Sequence, residues 1–291
     1  MLTRTLLALF ARLPLIASRF LGSLCGGLLF LLPTKKRRIA SINLAYCLPD
    51  TPAHERRQIL RKSLVHECQT ILEIPALMHR YANRIDELVT ETRGEHHLHE
   101  AIQQGNGVIL AIPHLGNWEV IGLYCSKRHP MTSLYRPQHR NSQLDNYIRT
   151  GRERLGARLV PTDAGGVKAL YRALSDNHIV AILPDQSPAP GSGVFAPLFG
   201  HPVGTMVLPN RLLRRTHATL LFCYAERLSG QPGYRLHFIP ADEKITAKDP
   251  GTAASALNQG LEQCILHAPG QYWWSYKRFK SVPPDTKSPY D

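Results

Sequence analysis

Two residues five positions apart are the best placed in this sequence to do chemistry: His114 and Glu119, in His114-Leu115-Gly116-Asn117-Trp118-Glu119. The apolar run Val108 to Ile112 before them reads as a short buried strand. Pro113 and Gly116 punctuate the chain, and Asn117 can cap an apolar helix through Ile121-Gly122-Leu123. At about 100° per residue, positions five apart on one helix diverge. The pair therefore meets only if His114 lies in the loop and Glu119 on the helix. A carboxylate on one ring nitrogen fixes the tautomer and makes the other nitrogen a better base toward a hydroxyl. A structural His–Glu pair at a strand end is the alternative that the spacing leaves open.

Two further residues are placed by strand ends. Tyr135-Arg136-Pro137 closes an apolar run from Met131, and Leu183-Pro184-Asp185-Gln186 closes another from His178. In a parallel sheet the carboxyl ends of strands collect on one rim, where ligands bind. Arg136 there can fork onto a phosphate. Asp185 can hold Arg136, accept from a sugar hydroxyl or cap a turn.

The elements that must position these residues follow from periodicity. Residues 13–32 are apolar except at a few positions, Arg19 among them, which is long enough for a membrane helix if Arg19 snorkels. A signal peptide is the competing reading, but no small-residue cleavage site follows. Lys35-Lys36-Arg37-Arg38 comes next and places the downstream chain on the cytoplasmic side, against anionic lipid. Residues 1–34 thus read as a membrane anchor, transmembrane or monotopic, and 35–291 as a cytoplasmic domain. Residues 53–78 form an amphipathic helix with Leu60, Leu64, Cys68, Ile71, Leu72 and Pro75 on one face, for core packing or for docking a carrier protein. Strands at 131–135, 157–161 and 178–183 alternate with helices at 141–155 and 164–174, which argues a mostly parallel sheet covered on both faces. The Pro- and Gly-rich stretch 184–204 reads as a binding loop and 205–215 as a helix. Residues 218–226 and 234–239 read as an antiparallel hairpin at the sheet edge, joined through Gly230-Gln231-Pro232-Gly233, and 252–267 as a last helix.

Composition narrows the partners. A formal net charge of +13 over 291 residues favours an anionic partner: a lipid surface, a phosphorylated substrate, an acidic carrier or nucleic acid. The six cysteines are scattered without a Cys-x-x-Cys pair, which fits reduced thiols rather than a metal site. The terminal Gln271-Tyr272-Trp273-Trp274-Ser275-Tyr276-Lys277-Arg278-Phe279 interleaves aromatics with cations. Membrane interface, single-strand nucleic-acid platform and core packing are all open to it.

The His114–Glu119 hexapeptide resembles the His-x4-Asp/Glu motif of the glycerolipid acyltransferase superfamily, in the form found in the late (secondary) acyltransferases of lipid A biosynthesis. The resemblance extends over nearly the whole chain. It takes in the apolar anchor and basic run, Ile39-Ala40-Ser41-Ile42-Asn43-Leu44, Tyr135-Arg136-Pro137, Pro184-Asp185-Gln186, Leu198-Phe199-Gly200 with Thr205, and the aromatic-basic tail. Two departures stand out. The Phe-Pro-Glu-Gly-Thr-like block of the glycerophosphate branch is missing, and Val194-Phe195-Ala196-Pro197-Leu198-Phe199-Gly200 replaces a stretch that more often holds adjacent phenylalanines.

The resemblance implies an α/β fold with a mixed, mostly parallel sheet flanked by helices and an N-terminal membrane-anchoring helix, at the inner membrane with its catalytic domain on the cytoplasmic face. It implies transfer of a lauroyl- or myristoyl-class chain from acyl carrier protein to a hydroxyl of an acylated, phosphorylated disaccharide lipid A precursor. His114 is then the base and Glu119 its orienter, the N–H groups of Gly116 and Asn117 are oxyanion donors, Arg136 is an anion site, and no metal or cofactor is expected. Acylation of another glycolipid or an aminolipid, or thioester hydrolysis, uses the same residues. A nucleic-acid-binding role accounts for the charge but gives the His–Glu pair nothing to do.

Overall fold

The computed structural model describes residues 2–135, 142–231 and 233–291. Helices α1 (Leu2–Arg12), α2 (Leu15–Leu31), α3 (Lys35–Cys47) and α4 (Ala53–His79) come first, then the short α5 (Ile85–Leu88), β1 (Val89–Arg93) and α6 (Glu95–Gln103). A βα alternation follows: β2 (Val108–Ala111), α7 (Trp118–Ser126), β3 (Met131–Tyr135), α8 (Ser142–Glu153), β4 (Ala157–Pro161), α9 (Ala164–Ser175) and β5 (Ile179–Ile182). The chain closes with the β6 (Gly193–Leu198) and β7 (His201–Met206) hairpin, α10 (Leu208–Thr216), β8 (Thr219–Arg227), β9 (Tyr234–Pro240) and α11 (Pro250–His267).

The main sheet has the order β1-β9-β8-β2-β5-β3-β4. From β8 through β4 all neighbours are parallel, and β9 turns back antiparallel to β8. The central strands β2 and β5 are buried at every position, as strands covered on both faces must be. Alternate residues of β2 serve opposite cores. Ile109 and Ala111 join Leu170, Leu212, Leu261 and Trp274, while Val108 and Leu110 join Leu77, Val120, Ile121 and Tyr234.

Several expectations need correction. The β8–β9 hairpin does not form the sheet edge, because β1 pairs in parallel with β9 and covers it. β1 reads Val-Thr-Glu-Thr-Arg, a polar edge strand without an apolar run to betray it. The stretch 184–204 is not a plain loop. It holds the first hairpin, turned by Phe199 and Gly200, both at positive φ, as a two-residue hairpin loop requires. The helix expected from residue 205 begins at Leu208, because β7 takes Thr205 and Met206. Pro232 of the expected turn lies outside the described residues.

The N-terminal segment is broken into separate helices. No single helix among the described residues is long and apolar enough to cross a membrane. The 17 residues of α2 rise about 25 Å against a bilayer core of about 30 Å, and α2 meets α3 at 77°. Gly22 and Gly26 face α4 so closely that a Cβ on Gly26 would lie 2.3 Å from Val65 Cα. The opposite face exposes Ile16, Phe20, Leu24, Leu28 and Leu31. Arg19 does not snorkel outward; its Nε donates to Glu73 at 2.7 Å. The expected apolar stripe of α4 is also incomplete, since Ile71 is exposed while Glu67, Thr70 and Glu73 are buried.

Because backbone atoms of α4 leave no room at Gly26, Gly26→Ala is expected to push α2 off α4 and cost about 1–3 kcal/mol, the usual range for overpacking. A thermal melt in detergent checks it, and an unchanged midpoint would mean that the two helices do not pack this closely.

Candidate active site

The register of the central strands builds the site. β2 and β5 pair with Ala111 opposite Ile182, and His114 and Asp185 each lie three residues beyond that pair. Equal overhangs from adjacent parallel strands arrive at the same place on the rim. His114 Nδ1 stands 2.8 Å from Asp185 Oδ1, and the His114 backbone N–H donates to Oδ2 at 2.8 Å. One buried carboxylate thus fixes both the ring and the backbone of one histidine. Burial pushes the Asp185 carboxyl up, but the charge and hydrogen bonds of His114 outweigh it and hold the group below the usual aspartate range. With Nδ1 donating, a neutral imidazole presents Nε2 as its acceptor, and the Gln186 amide nitrogen lies 3.3 Å from it.

Glu119 is therefore not the orienting carboxylate. His114 is in the loop and Glu119 on α7 as expected, yet no hydrogen bond joins them among the described residues. Arg152 of α8 donates to both Glu119 oxygens, with Nε to Oε2 at 2.8 Å, and Trp118 Nε1 donates to Oε1 at 2.8 Å. Among the described residues, Glu119 reaches His114 through that indole. The Trp118 ring meets the imidazole edge-on at 4.8 Å and stacks on Trp273 at 5.1 Å. The tail accordingly splits: Trp274 is core and Trp273 walls the site.

Gly116 and Asn117 hold the loop rather than offering donors. Gly116 has φ +64°, and a Cβ there would come within 1.9 Å of Ala225 O, so only glycine fits. Its N–H donates to Gln271 O at 3.1 Å, and that of Asn117 to Ala225 O at 3.0 Å. Both amides expected to face an oxyanion are spent. Asn117 does cap α7, its side-chain oxygen accepting from the Glu119 N–H, while its amide nitrogen donates to Glu73 Oε2 at 2.8 Å. Arg136 lies outside the described residues.

Behind the loop lies a buried charge cluster that periodicity did not reveal. Glu73, with a fully buried side chain, accepts from Arg227 and Arg19. Burial pushes its carboxyl up, but the two guanidinium groups bring it down to about 2. Arg227 Nη1 also approaches His66 Nδ1 at 2.9 Å. Burial and the Arg227 charge lower that imidazole to about 3.

A pocket of about 190 Å³ opens over His114, lined by Asp185, Gln186, Trp273, Ser275, Tyr276 and Lys36. Lys36 belongs to the basic run read as lipid-facing. Here it lies in the first turn of α3, pairs with buried Glu67 and approaches the Trp273 face at 5.9 Å. Elsewhere, Glu226, His237 and His267 each bring a metal-type donor atom within 4.8 Å of the others. Two of the three already pair: Glu226 Oε2 lies 2.9 Å from His237 Nε2 and accepts from Arg235 at 3.2 Å, while His267 meets the His237 ring edge-on at 5.0 Å. Sequence spacing hides it because the β8–β9 pairing brings Glu226 and His237 together.

Comparison with known proteins gives the family. Residues 1–281 match the family model described as bacterial lipid A biosynthesis acyltransferase. The chain is 28% identical over 284 residues to the lipid A biosynthesis lauroyltransferase of Escherichia coli (strain K12), covering 97% of this chain and 91% of that one. It is 28% identical over 283 residues to the palmitoleoyltransferase of the same organism, again covering 97% and 91%. A phosphatidylinositol mannoside acyltransferase of Mycobacterium tuberculosis (strain ATCC 25618 / H37Rv) is 28% identical over 209 residues, 69% of this chain and 63% of that one.

The buried cluster sets a pH dependence. His66 falls from 6.5 to about 3 on folding and Glu73 from 4.5 to about 2. In both cases the unfolded chain takes up the proton first, so their stabilisation is complete above the ordinary values and is lost progressively as pH falls from there toward the lowered ones. The melting temperature should fall from pH 7 to pH 4, and His66→Gln should flatten the part between pH 6.5 and 4.5. An unaltered slope in that variant would rule out a neutral His66 against Arg227.

Proposed function

The chain belongs to the bacterial lipid A biosynthesis acyltransferase family, and on that premise we propose that it moves a lauroyl- or myristoyl-class chain from acyl carrier protein to a hydroxyl of an acylated, phosphorylated disaccharide lipid A precursor. Acyl transfer in lipid A or related glycolipid biosynthesis is the family's chemistry; the carrier donor and this acceptor are our reading. The observation that carries it is the histidine held by Asp185 at Nδ1 with Nε2 toward the pocket.

In the proposed mechanism His114 Nε2 removes the acceptor proton as its oxygen attacks the thioester carbonyl. The new C–O bond forms, the C–S bond breaks, and the departing carrier thiolate recovers the proton from the imidazolium. Asp185 holds the ring and stabilises that imidazolium, as an aspartate does beside a catalytic histidine. Glu119 remains in the site as the anchor of Arg152 and Trp118. Gln186, beside Nε2, replaces the spent amides of Gly116 and Asn117 as the donor nearest the reacting oxygens. A thioester is already activated, so the mechanism routes no step through a metal or cofactor. Lys36 and Arg136 are assigned to acceptor or donor phosphates, with which the +13 charge is in keeping.

We place the enzyme at the cytoplasmic face of the inner membrane. The apolar stripe of α2 supports this, because its large side chains turn away from the protein while its glycines face α4. A surface helix of a soluble domain has the opposite arrangement.

The test is an acyl-transfer assay with lauroyl and myristoyl carrier protein and a tetra-acylated lipid A precursor. His114→Ala and Asp185→Asn are each expected to lose about 10²–10⁴-fold in kcat while staying folded, the range for removing a general base or its correct tautomer. Near-normal turnover by either variant would sink the mechanism. Donor hydrolysis without acylated product would identify a thioesterase, and product formed only on a mannosylated lipid would move the acceptor to another glycolipid.

A further inference from the structure

Arg19 is the one charged residue of α2, set among leucines and glycines. Its side chain is 12% exposed and turned inward, with Nε on Glu73 Oε1 at 2.7 Å and Nη1 on Gln231 O at 2.7 Å. Glu73 gathers the surrounding elements. Oε1 accepts from Arg19 and from Arg227 Nε at 3.1 Å; Oε2 accepts from Asn117 Nδ2 at 2.8 Å and from Arg227 Nη2. Every acceptor position of a fully buried carboxylate is thereby filled, as burial of a charge demands.

The same groups close a ring around the His114 loop. Arg227 Nη2 donates to Thr70 Oγ1 at 2.9 Å, and that hydroxyl donates to Gly116 O at 2.9 Å. The Arg227 backbone exchanges two bonds with the Gln271 side chain, at 2.8 and 2.9 Å. Gln271 O accepts from Gly116 N–H, and His114 O accepts from Trp273 N–H at 3.0 Å. Four parts of the chain, α2, α4, β8 and the tail, thus converge on the loop through one carboxylate and one guanidinium.

We propose that Glu73 is a positioning residue for the His114 loop, and that Arg19 makes this positioning depend on α2 being seated on α4. Arg19 supplies the second cation that Glu73 needs in order to accept from Asn117 and Arg227 together. When α2 lifts away, the carboxylate collapses onto Arg227, Asn117 loses its side-chain partner, and the loop between Pro113 and Trp118 loosens. The apolar helix then acts as a seating sensor as well as an anchor. The kinetic consequence rests on the acyl-transfer reading; the structural consequence does not.

Glu73→Gln leaves Arg227 buried against a neutral partner and is open to misfolding, so the primary variants are Arg19→Gln and Arg19→Lys in the full chain in detergent. Arg84→Gln, in the exposed Arg84–Glu87 pair, is the control. Two quantities are read: hydrogen exchange of the Gly116, Asn117 and Trp273 amides, and the kcat and KM of acyl transfer from lauroyl carrier protein. Arg19→Gln is expected to speed exchange at those three amides about 10-fold or more, leaving β2 and β5 protected. It should lower kcat about 10-fold with the donor KM within about 2-fold, since misplacing a catalytic group by about 1 Å costs up to 10²-fold. Arg19→Lys should recover part of both. Arg84→Gln should change neither, and His114→Ala should lower kcat about 10²–10⁴-fold without speeding exchange at Gly116 or Asn117. Wild-type exchange at the three amides in Arg19→Gln would overturn the proposal, as would a uniform rise that includes β2 and β5. If the wild-type protein transfers no acyl group, the acyl-transfer reading fails and the exchange result still decides the positioning claim.

Discussion

The parallel pairing of β2 with β5 is the constraint on which the rest of the molecule depends. It fixes Ala111 beside Ile182 and delivers His114 and Asp185 to one point. Neither strand can slip cheaply, because both are buried on both faces and a one-residue shift would exchange side chains between two differently packed cores. The helices packed over them secure the register of the His–Asp pair as well as the core. Gly116 then turns the chain against Ala225 where no side chain fits, and Asn117 starts α7. The loop is short and pinned at nearly every backbone group.

A second constraint runs along α4. Ser63, Glu67, Thr70 and Glu73 follow one another at helical spacing and are all buried. Ser63 donates to Tyr272 O at 2.7 Å, Glu67 accepts from Ser275 Oγ at 2.5 Å and pairs with Lys36, Thr70 donates to Gly116 O, and Glu73 accepts from Asn117. This polar seam joins the aromatic tail and the His114 loop to one rigid element. Each buried group has its partner, without which the seam would be costly to bury.

Much of this was legible in the sequence. Apolar runs with turn residues between them gave β2 to β5 and their helices, because continuous burial leaves a plain signature. His114 at a strand end was legible for the same reason. Its partner was not: the sequence offers Glu119 nearby and Asp185 far away, and only strand order makes the distant carboxylate the adjacent one. Asp185 stands at a strand end on its sequence alone; that β5 inserts beside β2 is set by strand order, which the local sequence does not carry. The α4 seam escaped because a search for apolar periodicity passes over polar residues that are buried through pairing. Arg19 escaped likewise, since an arginine in an apolar segment is equally read as snorkelling outward until a buried carboxylate is known to face it. β1 and the β6–β7 hairpin escaped because one is polar and the other rich in proline and glycine.

The basic run after α2 joins these constraints. Thr34 caps α3, so the chain passes from exposed Leu31 and Leu32 to pocket-lining Lys36 within a few residues. At no more than about 3.5 Å per residue, Leu32 and Lys36 are within about 14 Å of one another. Arg37 and Arg57 meanwhile lie over the Phe30 ring, at 5.8 and 5.6 Å, and keep cations at the apolar helix's end. The run is thus divided: one lysine serves the pocket and its neighbours flank the apolar stripe. Under the proposed function this places the reacting hydroxyl of an amphiphile near His114 while its acyl chains stay beside α2, and no extraction of the whole lipid is needed. Close to the stripe, α2 is joined to α4, which carries the His114 loop's partners, by a buried ion pair. Under the proposed function, a substrate that straddles the two surfaces requires them to keep a fixed relation, and the glycine packing of α2 on α4 together with Arg19 on Glu73 holds it.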